Sequence, residues 1–329
     1  WLLRTPMALD CSIVIPNYNG EYLLQKYLPS VLEESLRYKA ECEVIVVDDA
    51  SSDASTAILE EKFPTVRIVR HEVNQGFAEA IYSGVSAARH ELVFLLNSDV
   101  ELHPGCLNLL ESRFERDNTF AVNPLILNQD GVVNQSSWTR STLVRGHLKL
   151  LPWDIRQLPA MKQSGDDFPT LYCSGGSVMM RKSMFETLGG FSPLYKPFYY
   201  EDFDLGLRAW YRGWYSYFEP AAEVSHADKG TIEDNFKSEL IKSTQRRNRY
   251  KLEWTHFSPG TLCFKTLPFS LLQLLGEIIL FDRKNVRAFF AALADLKAIR
   301  AQRKSLKQAE MTLAEVLQLN TQEPQNTRK

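Results

Sequence analysis

The sequence predicts an α/β protein with a mixed, mainly parallel central sheet, and three observations favour this fold class. Residues 11–15, 43–47 and 91–96 are almost wholly apolar, as expected of strands buried on both faces of a sheet. Longer stretches lie between them, such as residues 21–38, in which apolar residues recur at helical spacing. Strands and helices therefore alternate, which indicates βαβ units.

Turn and capping residues separate the predicted elements of the N-terminal half. Pro16 stops the first strand, and Ser51, Ser52 and Asp53 supply an N-cap for the second helix. In chain order the sequence predicts a strand (11–15), a helix (21–38), a strand (43–47), a helix (51–63), a strand (66–69), a helix from about 76, and a strand (91–96).

Two of these strands end in acidic residues. Asp48 and Asp49 follow one of them, and Asn97, Ser98 and Asp99 follow the other. Ligands of open α/β sheets bind at the carboxyl edge of the strands, so these side chains are candidate ligand-binding groups. Because neighbouring carboxylates repel bare phosphate, a phosphate ligand there would require a divalent cation. The alternative for Asp99 is a structural role as the cap of the next helix.

The turn after the first strand lacks the G-x-G-x-x-G pattern of dinucleotide-binding domains, which argues against that class. Residues 128–170 are predicted to be loop-rich, either a lid over a site or a plain variable loop. The strand predicted after them contains Gly175 and Gly176, which would let a ligand or another backbone approach closely.

A second acidic cluster follows a dense aromatic run at residues 198–200. Glu201, Asp202 and Asp204 lie in the first turn of a helix predicted to extend to about residue 212. Compensation of the helix dipole is one explanation for these acids. The aromatic run instead favours a walled, partly dry pocket.

The distribution of charge and the cysteines indicate the type of partner and the cellular environment of the protein. Residues 1–231 contain 21 Lys and Arg against 30 Asp and Glu, whereas residues 232–329 contain 17 against 10. The basic C-terminal region suggests a negatively charged surface partner. Five scattered cysteines without C-x-x-C spacing favour a reduced, cytosolic environment and argue against a zinc site. We expect no signal peptide, since Leu2-Leu3 is too short an apolar stretch.

The C-terminal region predicts helices and a membrane contact. Residues 267–281 are apolar but interrupted by Pro268 and Glu277, too short for a confident transmembrane span. Residues 283–304 combine an apolar helical stripe with surrounding Lys and Arg, the pattern of an interfacial helix on anionic lipid. Packing of these helices on the preceding domain or on a second subunit is the alternative. Residues after about 320 are expected to be disordered.

Five segments in order resemble family 2 glycosyltransferases of the GT-A fold, in particular the bacterial rhamnosyltransferase-like members. They are 13–19 (IVIPNYN), 46–53 (VVDDASSD), 74–78 (NQGFA), 96–99 (LNSD) and 201–204 (EDFD). The resemblance runs over residues 11–230. It implies inverting transfer of a sugar from a nucleotide-diphospho-sugar donor, with Mg²⁺ or Mn²⁺ as cofactor. It implies a GT-A catalytic domain over residues 1–231. The helical pattern and polar end of the remaining chain predict a helical extension over 232–319 and a disordered tail over 320–329.

The same resemblance assigns roles to individual residues. The donor site would include Pro16, Asp48, Asp49, Asn74, Gly76, Asn97 and Ser98. Asp99 would bind the metal with His226 as a further ligand, although a histidine bonded to backbone at a strand end is the alternative for His226. Asp202 would be the base that acts on the acceptor hydroxyl, with Gly175, Gly176 and Glu201 on the acceptor side.

The sequence departs from the family pattern at two positions. Asn97 replaces the first acid of the D-x-D motif, which leaves fewer charged metal ligands. Tyr82 stands where relatives often have a small polar residue, which bears on the shape of the donor pocket.

One metal and one base suffice for the implied reaction. A nucleotide sugar already has a good leaving group once its diphosphate charge is neutralised, so no protein general acid is required. The resemblance implies transfer from a UDP, dTDP or GDP sugar to a hydroxyl of a glycan or lipid-linked acceptor, in bacterial surface polysaccharide synthesis. The setting would be the cytoplasm or the inner face of the cytoplasmic membrane, without a nucleic-acid partner. The alternatives are a nucleotidyltransferase, whose Gly/Arg/Lys-rich triphosphate loop is missing, and a non-catalytic scaffold.

Overall fold

The computed structural model describes residues 8–227, 237–279, 284–306 and 309–322. The strands are β1 (Cys11–Asn17), β2 (Cys42–Asp48), β3 (Arg67–Arg70), β4 (Leu92–Leu96), β5 (Val100–Leu102), β6 (Thr119–Leu127), β7 (Arg140–Val144), β8 (His147–Leu151), β9 (Phe168–Pro169), β10 (Ser177–Arg181) and β11 (Tyr215–His226). The helices are α1 (Glu21–Arg37), α2 (Ser55–Lys62), α3 (Phe77–Ala87), α4 (Cys106–Glu111), α5 (Leu158–Ser164), α6 (Lys182–Leu188), α7 (Glu201–Trp210), α8 (Ser238–His256), α9 (Pro259–Ile279), α10 (Lys284–Ala294), α11 (Leu296–Ser305) and α12 (Leu313–Thr321).

The central sheet has the strand order β3-β2-β1-β4-β10-β6-β11-β5, with β9 paired to β11. The first four strands of this order are parallel to one another, and β6 is parallel to β11. Strand β10 runs antiparallel between β4 and β6, while β5 and β9 run antiparallel to β11. The predicted α/β class with a mixed sheet is confirmed, and the carboxyl ends of β1, β2 and β4 meet at one edge.

Helices on both faces of the sheet explain the apolar strands. All five residues of β4 are buried, and they divide between the hydrophobic clusters on the two faces. Helix α3 packs closely on β1 and β2 at Gly84, where a Cβ atom would lie 2.2 Å from Val14 Cγ1. A glycine is therefore needed at this crossing.

The loop-rich prediction for residues 128–170 was only partly correct. This segment contains the β7–β8 hairpin, α5 and β9. Trp138, Trp153 and Phe168 are buried and pack around Phe218 of β11, with ring centroids 5.8–6.4 Å from Phe218. These aromatic residues form a small hydrophobic core of their own.

Helices α8–α12 form the predicted helical extension, and they share a hydrophobic core with the rest of the chain. Tyr250 and Trp254 of α8 belong to the same cluster as Trp210 of α7 and Phe289 of α10. Residues 228–236 lie outside the described residues, so the domain boundary near 231 stays a prediction. Asn320, which the sequence assigned to a disordered tail, is instead a buried residue of α12.

The apolar stripe of residues 283–304, on which the predicted lipid contact rests, is divided, since Phe290 and Leu293 are exposed. Phe289 and Ile299, two members of its apolar stripe, are buried in the core shared with α7 and α8. The interruption predicted at Pro268 was also wrong, since α9 continues through it. A π-helical turn at Leu262–Thr266 precedes this proline, a common local adjustment in such helices.

Candidate functional site

Asp48 lies at the carboxyl end of β2, directly beside the end of β1. Its Oδ1 accepts a hydrogen bond from Asn17 Nδ2 (3.0 Å), and its Oδ2 accepts one from the backbone N–H of Ser51 (3.1 Å). The neighbouring Pro16 is half-buried in β1. Asp48 therefore fixes the turn that follows β2, and its predicted contact with a nucleoside stays a prediction.

Asp49 is buried and orders the turn that opens α3. Its carboxylate accepts hydrogen bonds from the backbone N–H groups of Gln75 (2.8 Å) and Gly76 (2.7 Å), and it lies 2.7 Å from His71 Nδ1. Gly76 has φ +89°, a conformation that favours glycine, and Asn74 is exposed just before it. Both oxygens of Asp49 already have partners, so Asp49 fixes this turn, and its predicted contact with the donor stays a prediction.

Asn97 follows β4 and joins it to the two-glycine segment. The backbone N–H of Asn97 donates to the carbonyl of Gly176 (2.9 Å), and a Cβ at Gly176 would lie 3.0 Å from Asn97 Nδ2. The side chain of Ser98 faces the start of α1, 3.7 Å from where a Cβ at Gly20 would lie. Gly176 thus permits the close approach that the sequence predicted, with Asn97 as its neighbour.

Asp99 faces His226 across the junction of β5 and β11. His226 Nε2 lies 3.4 Å from Asp99 Oδ1, and His226 Nδ1 lies 2.8 Å from the carbonyl oxygen of Ala227, to which it can only donate. The backbone alternative for His226 therefore holds for Nδ1, whereas Nε2 faces Asp99. Burial raises the pKa of Asp99, an effect that the nearby histidine partly opposes.

The donor atoms at this position fit a divalent cation. Asp99 Oδ1 and Asn97 Oδ1 are both buried, and neither has a hydrogen-bond partner among the described residues. An unpaired buried carboxylate is costly, and a cation would remove that cost. Within the described residues no group of three or more His, Cys, Asp and Glu side chains could hold a metal. The set thus suits an ion, such as Mg²⁺, that takes few protein ligands and completes its shell with substrate phosphates.

Glu201 and Asp202 begin α7 and form a pair of carboxyl groups in a half-buried position. Asp202 Oδ1 accepts from the backbone N–H of Phe203 (2.7 Å), while Glu201 Oε2 is buried without a hydrogen-bond partner among the described residues. Burial raises the pKa of Asp202 to about 6, and burial together with the charge of Asp202 raises the pKa of Glu201 to about 8. The two groups interact, so they titrate as a pair, and burial raises the pKa of Glu201 further than that of Asp202.

Two cavities adjoin this pair. Asp202 and Gly175 line a small apolar cavity together with Cys173, so the structure brings the two-glycine segment and the predicted base together. A larger cavity of about 270 Å³ lies on the other side, and its lining includes Phe77, Glu79, Tyr82, Phe191, Tyr195 and Glu201. Tyr82, the residue that departs from the family pattern, is thus an aromatic wall beside Glu201.

The loop before α7 is held in a strained conformation by the C-terminal extension. Tyr199 and Tyr200 have φ +70° and +79°, which costs about 1–3 kcal/mol for each non-glycine residue. Asn248 of α8 is fully buried, and its Nδ2 donates to the carbonyl oxygens of Tyr195 (2.7 Å), Phe198 (3.0 Å) and Tyr199 (2.9 Å). Asn248 thereby fixes the segment that presents Glu201 and Asp202.

Asp204 has a structural role. Its buried carboxylate contacts Arg208 Nε (2.7 Å), His256 Nε2 (2.9 Å), Tyr195 Oη (3.2 Å) and Gln302 Nε2 (2.6 Å). Burial favours the neutral acid, but Arg208 and His256 outweigh it and lower the pKa of Asp204. Since His256 is on α8 and Gln302 on α11, Asp204 ties the extension to α7.

Sequence reasoning missed Asn248, His256 and Gln302. Asn248 lies inside the basic run at residues 246–249, where it looks like one more polar residue of a solvated helix. Its backbone partners are about 50 residues away in the sequence, so no local pattern identifies it.

We expect Asn248→Ala to lower the transfer rate roughly 10–100-fold, because small misplacement of a catalytic group is costly and several buried carbonyls lose their donor. Donor affinity should stay near normal. A loosened loop would also admit water to Asp202, whose pKa is raised by burial. The fall of the transfer rate at low pH should therefore move to lower pH. Lys242→Ala, at an exposed position of the same helix, is the control. Unchanged kinetics in Asn248→Ala with only a lower melting temperature would contradict the positioning role.

Comparison with known proteins agrees with this geometry. The model of the family described as glycosyl transferase family 2 matches residues 12–189. The chain is 27% identical over 234 residues to an N-acetylglucosaminyl-diphospho-decaprenol L-rhamnosyltransferase of Mycobacterium tuberculosis, covering 65% of this chain and 75% of that protein. It is 26% identical over 214 residues to human polypeptide N-acetylgalactosaminyltransferase 16, covering 62% of this chain but 38% of that protein.

Solved structures show the same fold. GalNAc-T7 with UDP, GalNAc and Mn²⁺ superposes with a TM-score of 0.59 at 20% identity, covering 77% of this chain and 49% of that one. S. aureus TarS in complex with UDP-GlcNAc superposes with a TM-score of 0.55 at 17% identity, covering 94% of this chain and 91% of that one. A mannosyltransferase from Pyrobaculum calidifontis in complex with GDP-Man and Mn²⁺ gives 0.53 at 16% identity, covering 96% and 86%.

The family match spans more than half of the sequence and includes four of the five motifs, and the fold is that of GT-A enzymes. The chain belongs to glycosyl transferase family 2 and is a glycosyltransferase.

Proposed function

We propose that the enzyme transfers a sugar, with inversion, from a nucleotide-diphospho-sugar to a hydroxyl of a glycan or lipid-linked acceptor. The observation that best supports this is the presence of two chemically different carboxylate centres. Asp99 is a buried carboxylate with His226 Nε2 3.4 Å from its Oδ1, whereas Asp202 lies beside Glu201, and burial raises the pKa of both members of that pair.

The relatives narrow the substrate classes. UDP, GDP-Man and UDP-GlcNAc occur in the structures of similar fold, which supports a UDP, dTDP or GDP sugar as donor. The mycobacterial relative is named for a lipid-diphosphate-linked substrate, which supports a lipid-linked acceptor in cell-surface polysaccharide synthesis. We place the reaction in the cytoplasm, at the inner face of the cytoplasmic membrane.

We infer that Asp99 and His226 would hold a divalent cation, Mg²⁺ or Mn²⁺, with Asn97 beside them. When bound, such a cation supplies Lewis-acid neutralisation of the diphosphate leaving group. The buried position of Asp99 strengthens this electrostatic effect, because surrounding water is excluded. The half-buried Pro16 and the turns fixed by Asp48 and Asp49 would form the nucleoside side of the pocket.

Asp202 would accept the proton of the attacking hydroxyl. A pKa of about 6 leaves it mostly ionised at neutral pH, yet more basic than an ordinary aspartate. Glu201, protonated at the same pH, can donate a hydrogen bond to an acceptor oxygen from its unpartnered side. Asp202 would thus act as the base, and Glu201 as a hydrogen-bond donor to the acceptor substrate.

The transfer rate should therefore fall as pH drops through about 6, because protonated Asp202 cannot act as a base. Initial transfer rates, measured at saturating donor concentration over a range of pH, test this fall. Glu201→Gln mimics the protonated form of Glu201 beside Asp202, so the transfer rate of this variant should still fall as pH drops through about 6. A rate that stays level down to the pKa of an ordinary aspartate, about 3.9, would exclude Asp202 as a base of raised pKa.

A further inference from the structure

Helix α9 exposes most of its large apolar side chains, although Leu274 is buried in the core shared with α7 and α8. Thr266 and Ser270 are fully buried against the protein, and Thr266 Oγ1 donates to the carbonyl of Gly146 in the β7–β8 turn (2.7 Å). The outer face of α9, by contrast, consists of exposed large apolar side chains: Phe264, Phe269, Leu271, Leu272, Leu275, Ile278 and Ile279.

A surface helix of a globular protein turns its apolar stripe to the core, whereas α9 leaves most of its large apolar side chains exposed. The helix is 21 residues long with mean hydropathy 1.4, and only 17% of its apolar window is buried, so it is not a core helix. A contiguous apolar face of this kind marks a protein or membrane contact.

The adjoining helices have the charge that suits an anionic membrane. Phe290 and Leu293 of α10 add exposed apolar side chains next to α9. Residues 284–306 contain six Lys and Arg and one acidic residue, Asp295, which pairs with Lys251. Arg287, Lys297 and Arg300 are exposed. Apolar side chains beside surplus positive charge are the composition of an interfacial segment on anionic lipid.

We propose that the outer face of α9, flanked by the basic residues of α10 and α11, docks on an anionic lipid bilayer. Because the Thr266–Ser270 side stays packed on the protein, α9 lies along the bilayer surface with one face in the interface. The inference does not depend on the chemistry of transfer. The extension that meets the membrane is also the one that fixes the catalytic loop through Asn248.

Flotation of the full-length protein with vesicles tests the proposal. The wild type should bind phosphatidylcholine–phosphatidylglycerol vesicles more tightly than pure phosphatidylcholine, and less tightly at high salt. Leu272→Glu, at a side chain that is 65% exposed, should weaken binding about tenfold or more. Leu36→Glu, at an 87% exposed leucine of α1, is the matched control and should bind normally.

A second pair of variants separates the ionic contribution. Lys297→Gln and Arg300→Gln should each weaken binding to anionic vesicles roughly fivefold and leave binding to neutral vesicles unchanged. Failure of the wild type to bind either vesicle would overturn the proposal, as would equal binding by Leu272→Glu. A wild-type dimer that Leu272→Glu converts to a monomer, without vesicle binding, would show that a second copy of the chain covers this face.

Discussion

Asp202→Asn is expected to lower the transfer rate by roughly 10²–10⁴, the usual cost of losing a general base. This corresponds to about 3–5 kcal/mol of transition-state stabilisation at 1.36 kcal/mol per decade. Asparagine keeps the size of the side chain and can still accept from Phe203 N–H, but it cannot take a proton. The donor contacts are predicted on other strands, so donor affinity should change little. Transfer rate and donor affinity, measured together, check this.

The melting temperature of Asp202→Asn distinguishes the loss of the base from misfolding of the variant. The pKa of Asp202 is raised on folding, so the ionised side chain opposes folding as pH rises through about 6. Asp202→Asn removes that charge and should melt at or above the wild-type temperature at pH 7. Asp204→Asn, which would break a buried four-partner network, should melt lower. Near-normal transfer in Asp202→Asn would refute the assignment of the base.

Asp99→Ala is expected to abolish the metal dependence of nucleoside diphosphate binding. Asp99 is the charged side chain at the proposed cation site, and without it His226 and Asn97 provide only neutral donor atoms. Titration calorimetry with and without EDTA measures the dependence. Removing a buried, unpaired carboxylate should leave the fold intact.

Glu101→Ala is the matched control, since Glu101 is an exposed carboxylate of β5 two residues further along the chain. We expect it to bind nucleoside diphosphate with the wild-type metal dependence. A variant at Asp99 that retained this dependence would mean that the cation binds elsewhere.

Periodicity and motif order were enough to predict the sheet, the family and the positions of the acidic residues. The strands at residues 11–15, 43–47 and 91–96 are buried on both faces, which makes their sequence pattern unambiguous. Asp99 and His226 meet because β5 and β11 pair, as the family resemblance implied.

Long-range packing explains what the sequence did not show. Asp202 and Asp204 look equivalent at the start of α7, yet one faces the site and the other binds α8 and α11. The apolar stripe of residues 283–304 also did not show that Phe289 and Ile299 pack in the core while Phe290 and Leu293 stay exposed. The sequence could not show whether the apolar residues of α9 are exposed or buried in the core, because apolar composition alone does not indicate what packs against a helix.

Calorimetric titration of the wild-type enzyme with UDP, dTDP and GDP, each with Mn²⁺ and with EDTA, tests the central claim most directly. The account predicts that at least one of the three binds in the presence of Mn²⁺ and that its affinity falls sharply with EDTA. Absence of binding by all three, or an affinity unaffected by EDTA, would contradict a metal-dependent nucleotide-sugar transferase.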